Sequence, residues 1–84
     1  MNVTVLFFAG LREALGSGRE GLALPPGVVT VAGLRDFLAA RGEPWSALAN
    51  TKNLRVAVNQ VMVGFDAAIK AGDEVAFFPP VTGG

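Results

Sequence analysis

The sequence predicts an α+β domain in which one main helix lies across one face of a mixed β-sheet. Alternating apolar residues indicate a strand at residues 2–8, and residues 75–78 form a second such segment near the other end. Between them, apolar residues recur at helical spacing after Thr30. A helix that follows two strands and precedes further strands is typical of the α+β class.

Length and composition indicate one small domain with its own hydrophobic core. The chain has 84 residues, of which 51% are hydrophobic. Lys plus Arg equals Asp plus Glu at seven each, so no basic surface points to nucleic acid. No apolar run approaches the length of a membrane span, and the beginning of the chain lacks a signal-peptide pattern. We therefore expect a cytoplasmic protein with no membrane partner.

Three absent residue types restrict the chemistry. The sequence contains no Cys, no His and no Tyr. Disulfides, cysteine-based zinc sites and Ser-His-Asp or Cys-His catalysis are therefore excluded. We expect neither a bound metal nor a permanently bound cofactor. Sulfur could still be carried without cysteine, as a thiocarboxylate.

The first part of the chain is predicted to form two strands around a short helix. The strand at residues 2–8 directs Phe8 to the face opposite the core and directs three residues toward the core, namely Val3, Val5 and Phe7. A short helix follows over residues 10–15, and a second strand over residues 19–24. Arg12 and Glu13 are interpreted as solvated charges, with a partner contact as the alternative.

The main helix begins after Thr30, a residue type suited to an N-cap. Gly42 fits the position just beyond the helix end. The stripe at helical spacing is interpreted as core rather than as a binding site, and it consists of Val31, Leu34 and Leu38.

Two short strands are predicted after this helix. Pro44 is expected to open a short helical turn before them. The first strand covers residues 54–58 and points Ala57 outward, and the second covers residues 61–63. Asn59 and Gln60 form the tight turn between them, although the turn lacks the favoured glycine.

The end of the sequence combines a strand, two prolines and two glycines. Pro79 and Pro80 cannot donate a ladder hydrogen bond, so strand pairing should stop there. Residues 1–80 are therefore predicted as the domain and residues 81–84 as a flexible tail with a free carboxylate. Glycine has no Cβ, so such a tail can enter a narrow site in another protein. The alternative interpretation is a frayed end.

Residues 73–84, Asp-Glu-Val-Ala-Phe-Phe-Pro-Pro-Val-Thr-Gly-Gly, resemble the ending of the small subunit of molybdopterin synthase. Residues 5–9 and 11–13 resemble the start of that family, and residues 57–60 resemble its middle. The resemblance spans essentially the whole chain, and the ending is its most specific part. It implies a β-grasp, or ubiquitin-like, fold.

The resemblance also implies a function as a sulfur carrier in molybdenum cofactor biosynthesis. A ubiquitin-activating-type enzyme would adenylate the Gly84 carboxylate with ATP, and a sulfur donor would convert it to a thiocarboxylate. Gly83, Thr82 and Val81 would enter the large subunit of the synthase, where sulfur passes to a pyranopterin precursor. The catalytic side chains would belong to that subunit, in a heterotetrameric assembly.

A second predicted feature is an apolar docking patch beside the tail. Phe8, Met62 and Phe78 each have the outward phase of their strand. If these strands are neighbours, the three side chains form an exposed patch, which on a small protein usually indicates a partner surface. The alternative is that loops cover them, or that the predicted phase is wrong by one residue.

Two other functions remain open at this stage. The same chemistry would serve a carrier for thiamine, cysteine or transfer-RNA thiolation, although the Phe-Phe-Pro-Pro segment argues against it. A ubiquitin-like modifier joined to lysines, or a plain binding module, is the alternative from a different class.

Overall fold

The computed structural model describes residues 1–80, which form a five-stranded mixed sheet with helices packed on it. In chain order the elements are β1 (Asn2–Phe7), α1 (Ala9–Leu15), β2 (Arg19–Ala23), α2 (Val31–Ala39), α3 (Ala47–Asn50), β3 (Arg55–Val58), β4 (Val61–Val63) and β5 (Glu74–Phe78). The strand order is β2-β1-β5-β3-β4. This confirms the α+β class and places β5 at the centre of the sheet.

The pairing of β5 explains why the sheet is mixed. β5 runs parallel to β1, with Val5 opposite Val75 and Phe7 opposite Phe77. It runs antiparallel to β3 on its other side, while β1–β2 and β3–β4 are antiparallel pairs. The first and last strands of the described domain are therefore direct neighbours, which strand phase alone could not establish.

The core lies between α2 and the sheet face that it covers. Val31, Leu34 and Leu38 of α2 are all fully buried, which confirms the predicted stripe. They belong to the same hydrophobic cluster as the inward residues of the central strands, namely Val3, Val5, Phe7, Val75 and Phe77. Each fully buried large side chain contributes about 1.5–3 kcal/mol, so this cluster dominates the stability of the domain.

The ends of α2 agree closely with the sequence pattern. The Thr30 hydroxyl accepts a 3.1 Å hydrogen bond from the Gly33 backbone N–H, which confirms the predicted N-cap. At the other end Ala40 is the C-cap, and Gly42 follows two residues later with a φ of +86°. The glycine thus takes the left-handed conformation, but it is the second residue after the C-cap and not the first, as predicted.

The start of α1 shortens the first strand. β1 ends at Phe7, and Phe8 is the N-cap residue of α1. Phe8 retains an extended backbone, and its N–H donates to the Phe77 carbonyl at 3.2 Å. It therefore keeps the outward phase of the strand, although α1 begins one residue earlier than predicted.

One local prediction is wrong, and another needs a qualification of burial. Pro44 does not open α3, because residues 43–46 form a turn and the helix begins at Ala47. Ala57 was predicted to point outward, which its strand register confirms, although the residue is only 8% accessible. Its pairing with both Met62 and Ala76 keeps it on the outward side, where flanking strands shield its single methyl group.

None of the helices within residues 1–80 has the length and apolar character required to cross a lipid bilayer.

Candidate functional site

The sheet face opposite α2, here called the outer face, carries the predicted docking residues. The cross-strand register aligns Leu6, Ala76, Ala57 and Met62 in one row across four strands. Phe78 lies two residues beyond Ala76 on β5, and Phe8 two residues beyond Leu6. Directly opposed residues share a face of the sheet, so all six side chains belong to the outer face.

The described part of the chain ends two residues beyond the central strand. Phe78 is the last residue of β5 and pairs with Arg55 at the start of β3. Pro79 and Pro80 are half-buried and lie outside any strand, as their missing N–H groups predict. Pro79 and Pro80 therefore follow β5 at the edge of the sheet where β1 ends and β3 begins.

The three predicted docking residues are only partly brought together. Phe8 is 47% exposed and Met62 is 53% exposed, whereas Phe78 is half-buried. Phe8 and Phe78 follow one another across neighbouring strands. Met62 lies on β4, which β3 separates from β5, so the condition that all three strands are neighbours is not met.

Small side chains occupy the space between Met62 and the two phenylalanines. Ala57 and Ala76 lie on β3 and β5 in the row that ends at Met62. In this row the methyl groups of Ala76 and Ala57 thus lie between the larger side chains of Leu6 and Met62. Its use as a docking surface stays a prediction, as does the role of Val81, Thr82, Gly83 and Gly84, which lie outside the described residues.

Arg12 and Glu13 are both exposed on α1, in agreement with their interpretation as solvated charges. The Arg12 side chain lies against Gly18, where an added Cβ would be 3.0 Å from its Nε. Arg12 and Arg19 border an open recess together with Phe8. A basic margin therefore adjoins the apolar outer face next to the exit of the chain.

The sequence analysis missed a buried carboxylate at the opposite end of β5. Asp73 is only 3% exposed, and its carboxylate accepts hydrogen bonds from the Lys70 backbone N–H at 2.9 Å and from the Asn59 amide at 3.0 Å. The Lys70 ammonium lies 3.2 Å away. The signal was weak, because an Asp that follows Gly72 in a turn is ordinarily solvated.

These contacts explain the acidity of Asp73. The Lys70 backbone N–H and then the Asn59 amide stabilise the ionised carboxylate and lower the pKa of Asp73, and the Lys70 ammonium acts in the same direction. Burial opposes the shift but is outweighed. A carboxylate held ionised and fully hydrogen-bonded is a poor general base, so Asp73 is a structural group rather than a catalytic one.

The order of the elements and the sheet topology define a ubiquitin-like β-grasp protein, with the central strand leading into the last residues of the sequence. SAMP1 from Haloferax volcanii has the same fold, with a TM-score of 0.79, 28% identity and complete coverage of both chains. A chain of the Amycolatopsis orientalis BexX/CysO complex matches with a TM-score of 0.68 and 26% identity, over 98% of this chain and 99% of that one.

Within this class the protein belongs to the ThiS family, whose model matches residues 5–84. It is 45% identical over 82 residues to the molybdopterin synthase sulfur carrier subunit of Escherichia coli K12. It is 42% identical over 82 residues to the subunit of the same name from Haemophilus influenzae. Each alignment covers 98% of this chain and 99% of the relative.

Proposed function

We propose that this protein is a sulfur carrier subunit of molybdopterin synthase. The observation that carries the proposal is the similarity to two molybdopterin synthase sulfur carrier subunits, at 42% and 45% identity over nearly the whole length of each. The sheet geometry agrees with it, because the central strand leads directly into the Pro-Pro segment and the two final glycines.

The proposed chemistry takes place at Gly84. A carboxylate oxygen of Gly84 attacks the α-phosphorus of ATP on an activating enzyme, and pyrophosphate leaves. A donor at the oxidation level of sulfide then attacks the acyl carbon, the bond to the AMP oxygen breaks, and a thiocarboxylate remains. No electrons are gained or lost, and sulfur replaces one carboxylate oxygen.

The reactive side chains of the transfer step are proposed to lie on the large subunit. This chain contains no His, Cys or Tyr, and the one buried carboxylate among residues 1–80, that of Asp73, is held ionised. Residues 79–84 span at most about 20 Å when fully extended, which is enough to reach into a neighbouring subunit. The carrier then provides the acyl group, and its partner provides acid–base groups and substrate binding.

Affinity is proposed to come from the outer face rather than from the tail. Ordering four residues costs about 4–8 kcal/mol of backbone entropy, and two glycines recover little of it by burial. Burying three large apolar side chains contributes about 5–9 kcal/mol as an upper figure. Phe8, Met62 and Phe78 are the residues proposed to make this contact.

The proposed partners are the large subunit of molybdopterin synthase, a ubiquitin-activating-type adenylating enzyme and a sulfur donor. The BexX/CysO complex is a precedent for a related β-grasp chain that assembles with another protein. ATP is consumed only on the activating enzyme. Because this activation draws on the ATP of the cell interior, we propose that the protein acts in the cytoplasm.

The test is intact mass spectrometry of the purified protein after incubation with activating enzyme, ATP and a sulfur donor. The expected result is a mass gain equal to the exchange of one oxygen for sulfur, which is lost again when large subunit and pyranopterin precursor are added. An unchanged mass, in an assay that thiolates the Escherichia coli subunit, would rule the proposal out.

A protein modifier is the second candidate, and the likeness to SAMP1, which a related solved structure names a small archaeal modifier protein, favours it. Modifier activity would appear in the same assay as covalent conjugates to lysines of other proteins. A carrier for a different thiolation pathway would gain sulfur but would not transfer it to the pyranopterin precursor. Isolation of the protein's bound partner from cells would distinguish a carrier for another thiolation pathway from a carrier for molybdopterin synthase.

A further inference from the structure

Two arginines flank the phenylalanines of the outer face. Arg19 on β2 is directly opposite Leu6, and Arg55 on β3 is directly opposite Phe78. Opposed residues project from the same side of a sheet, so both guanidinium groups belong to the outer face. Both residues are exposed.

The two arginines lie on either side of the exit of the chain. β2 and β3 are separated by β1 and β5, the strands that lead into Phe8 and Phe78. Three strand intervals place the two arginine backbones about 14 Å apart across the sheet, and the register offsets them by two residues, or about 7 Å, along the strands. Arg55 therefore lies beside Phe78, whereas Arg19 lies beside Leu6, two residues before Phe8.

Neither arginine is paired with a carboxylate from the described part of the chain. Within residues 1–80 the ion pairs involve Arg35, Arg41 and Lys70, and no carboxylate lies within 4.0 Å of Arg19 or Arg55. Glu74 shares the outer face, but it lies four residues before Phe78 on β5, which is about 13 Å along the strand. The protein has no net charge, yet this end of the outer face is basic.

Resting on the proposed function, we propose that Arg19 and Arg55 select a partner surface that presents carboxylates on both sides of an apolar socket. Guanidinium groups bind carboxylates bidentately and from a planar fork, so two of them on a diagonal of about 16 Å define one rotational orientation of the partner. The apolar residues between them carry no such directional information. The arginines thus orient the docked carrier so that its tail points at the active site.

The expected energetic role is steering rather than affinity. Exposed ion pairs contribute about 0–1 kcal/mol, but complementary charges at the rim of an interface raise the association rate and make it sensitive to salt. Arg19 and Arg55 should therefore act on the association rate constant, whereas Phe8 and Met62 act on the dissociation rate constant.

The experiment measures association of the full-length protein with purified large subunit by stopped flow, near 0.01 M and near 1 M ionic strength, where the Debye length is about 30 Å and about 3 Å. The variants are Arg19→Gln, Arg55→Gln and the double variant. We expect the association rate constant at low salt to fall about 3-fold for each single variant and about 10-fold for the double variant. At high salt all proteins should associate at similar rates.

The matched control is Arg35→Gln on α2, which removes the same charge from the opposite side of the domain. It should associate at the wild-type rate. Equal slowing of Arg35→Gln and the outer-face variants would overturn the proposal, since net charge alone would then explain the effect. Wild-type rates in the double variant at low salt would also overturn it while leaving the sulfur-carrier function intact.

Failure of the proposed function has a different signature. In that case the wild-type protein does not bind the large subunit at either salt concentration, and the inference about the arginines falls with it. Binding by the wild type with identical kinetics in every arginine variant contradicts the arginine inference alone.

Discussion

The Asn59 side-chain amide donates a 3.0 Å hydrogen bond to the Asp73 carboxylate, and its carbonyl oxygen accepts one of 3.0 Å from the Glu74 backbone N–H. The Asn59 backbone N–H also donates to the Glu74 carbonyl at 2.8 Å. The turn between β3 and β4 is thereby joined to the first residue of the central strand. This contact fixes the register of β5 at one end, while the other end carries Pro79 and the residues beyond it.

Asp73→Asn should destabilise the domain in a pH-dependent way. The pKa of Asp73 is lowered in the folded state, so its contribution is complete above the ordinary aspartate pKa of about 3.9 and is lost as pH falls through the lower folded value. At pH 7 the variant should lose about 1–3 kcal/mol, because an amide cannot replace an ionised acceptor of two N–H groups.

The measurement is urea unfolding of both proteins at pH 7 and at about pH 3. The stability difference between variant and wild type should shrink at the lower pH. Asp66→Asn, which alters an exposed aspartate, serves as the control and should have little effect at either pH. A difference that is the same at both pH values would contradict the assigned role of Asp73.

Gln60→Gly should stabilise the protein. Asn59 and Gln60 have φ values of +51° and +69°, the left-handed conformation required at both central positions of a type I′ turn. The left-handed conformation costs a non-glycine residue about 1–2 kcal/mol of folding free energy, and glycine avoids this cost. Glycine also makes the unfolded chain more flexible, which offsets part of the stabilisation. We expect a net gain of about 0.5–1 kcal/mol in urea unfolding.

Gln60→Ala is the matched control for this prediction. It removes the same exposed side chain but keeps the left-handed strain, so its stability should not exceed that of the wild type. If alanine stabilises the domain as much as glycine does, the conformational explanation is wrong.

Met62→Asp should weaken binding to the large subunit without unfolding the domain. Met62 is 53% exposed, so a carboxylate at this position remains hydrated in the free protein but loses its water in the complex. We expect a loss of at least about 1.4 kcal/mol, or tenfold in Kd, by isothermal titration calorimetry. Phe78→Asp should also weaken binding, with a lower Tm because Phe78 is half-buried.

Val29→Asp provides the control for the docking prediction. Val29 is 54% exposed, close to the 53% of Met62, but it precedes the N-cap of α2 on the other side of the domain. Its substitution should leave Kd unchanged. Equal weakening by Val29→Asp and Met62→Asp would remove the outer face as the docking surface.

Deletion of Gly84 should abolish sulfur transfer and leave the fold intact. Glycine has no side chain, so removal of Gly84 takes none from the core cluster that residues within 1–80 form. Intact mass spectrometry should detect no sulfur transfer from this variant when the large subunit and the pyranopterin precursor are added. Thermal unfolding should stay cooperative at the wild-type Tm. The deletion leaves a carboxylate on Gly83, one residue short of its normal position, whereas Gly84→Ala keeps the carboxylate in position and adds a methyl group, so the pair separates the effect of tail length from steric exclusion in the partner's site. Transfer that persists without Gly84 would be incompatible with the proposal.

Residue patterns along the chain predicted the core positions of β1 and α2 and the N-cap of α2, whose signals are local. The alternation of Val3, Val5 and Phe7 and the stripe of Val31, Leu34 and Leu38 identified the core, because burial on one face imposes a period that a sequence displays directly. Thr30 was recognised as a cap for the same reason, since the hydroxyl acts on a backbone N–H only three residues away.

Other features depend on residues that are distant in sequence, and only the tertiary structure decided them. Pairing placed β5 between β1 and β3, which joined Phe8 to Phe78 and set Met62 apart. It also buried Asp73 against Asn59, fourteen residues away, and placed Arg19 and Arg55 on one face, where no carboxylate of residues 1–80 lies within 4.0 Å of either. Strand periodicity reports which side chains share a face of one strand, but hydrogen bonding between strands determines which strands are neighbours, and that choice is made by the whole fold.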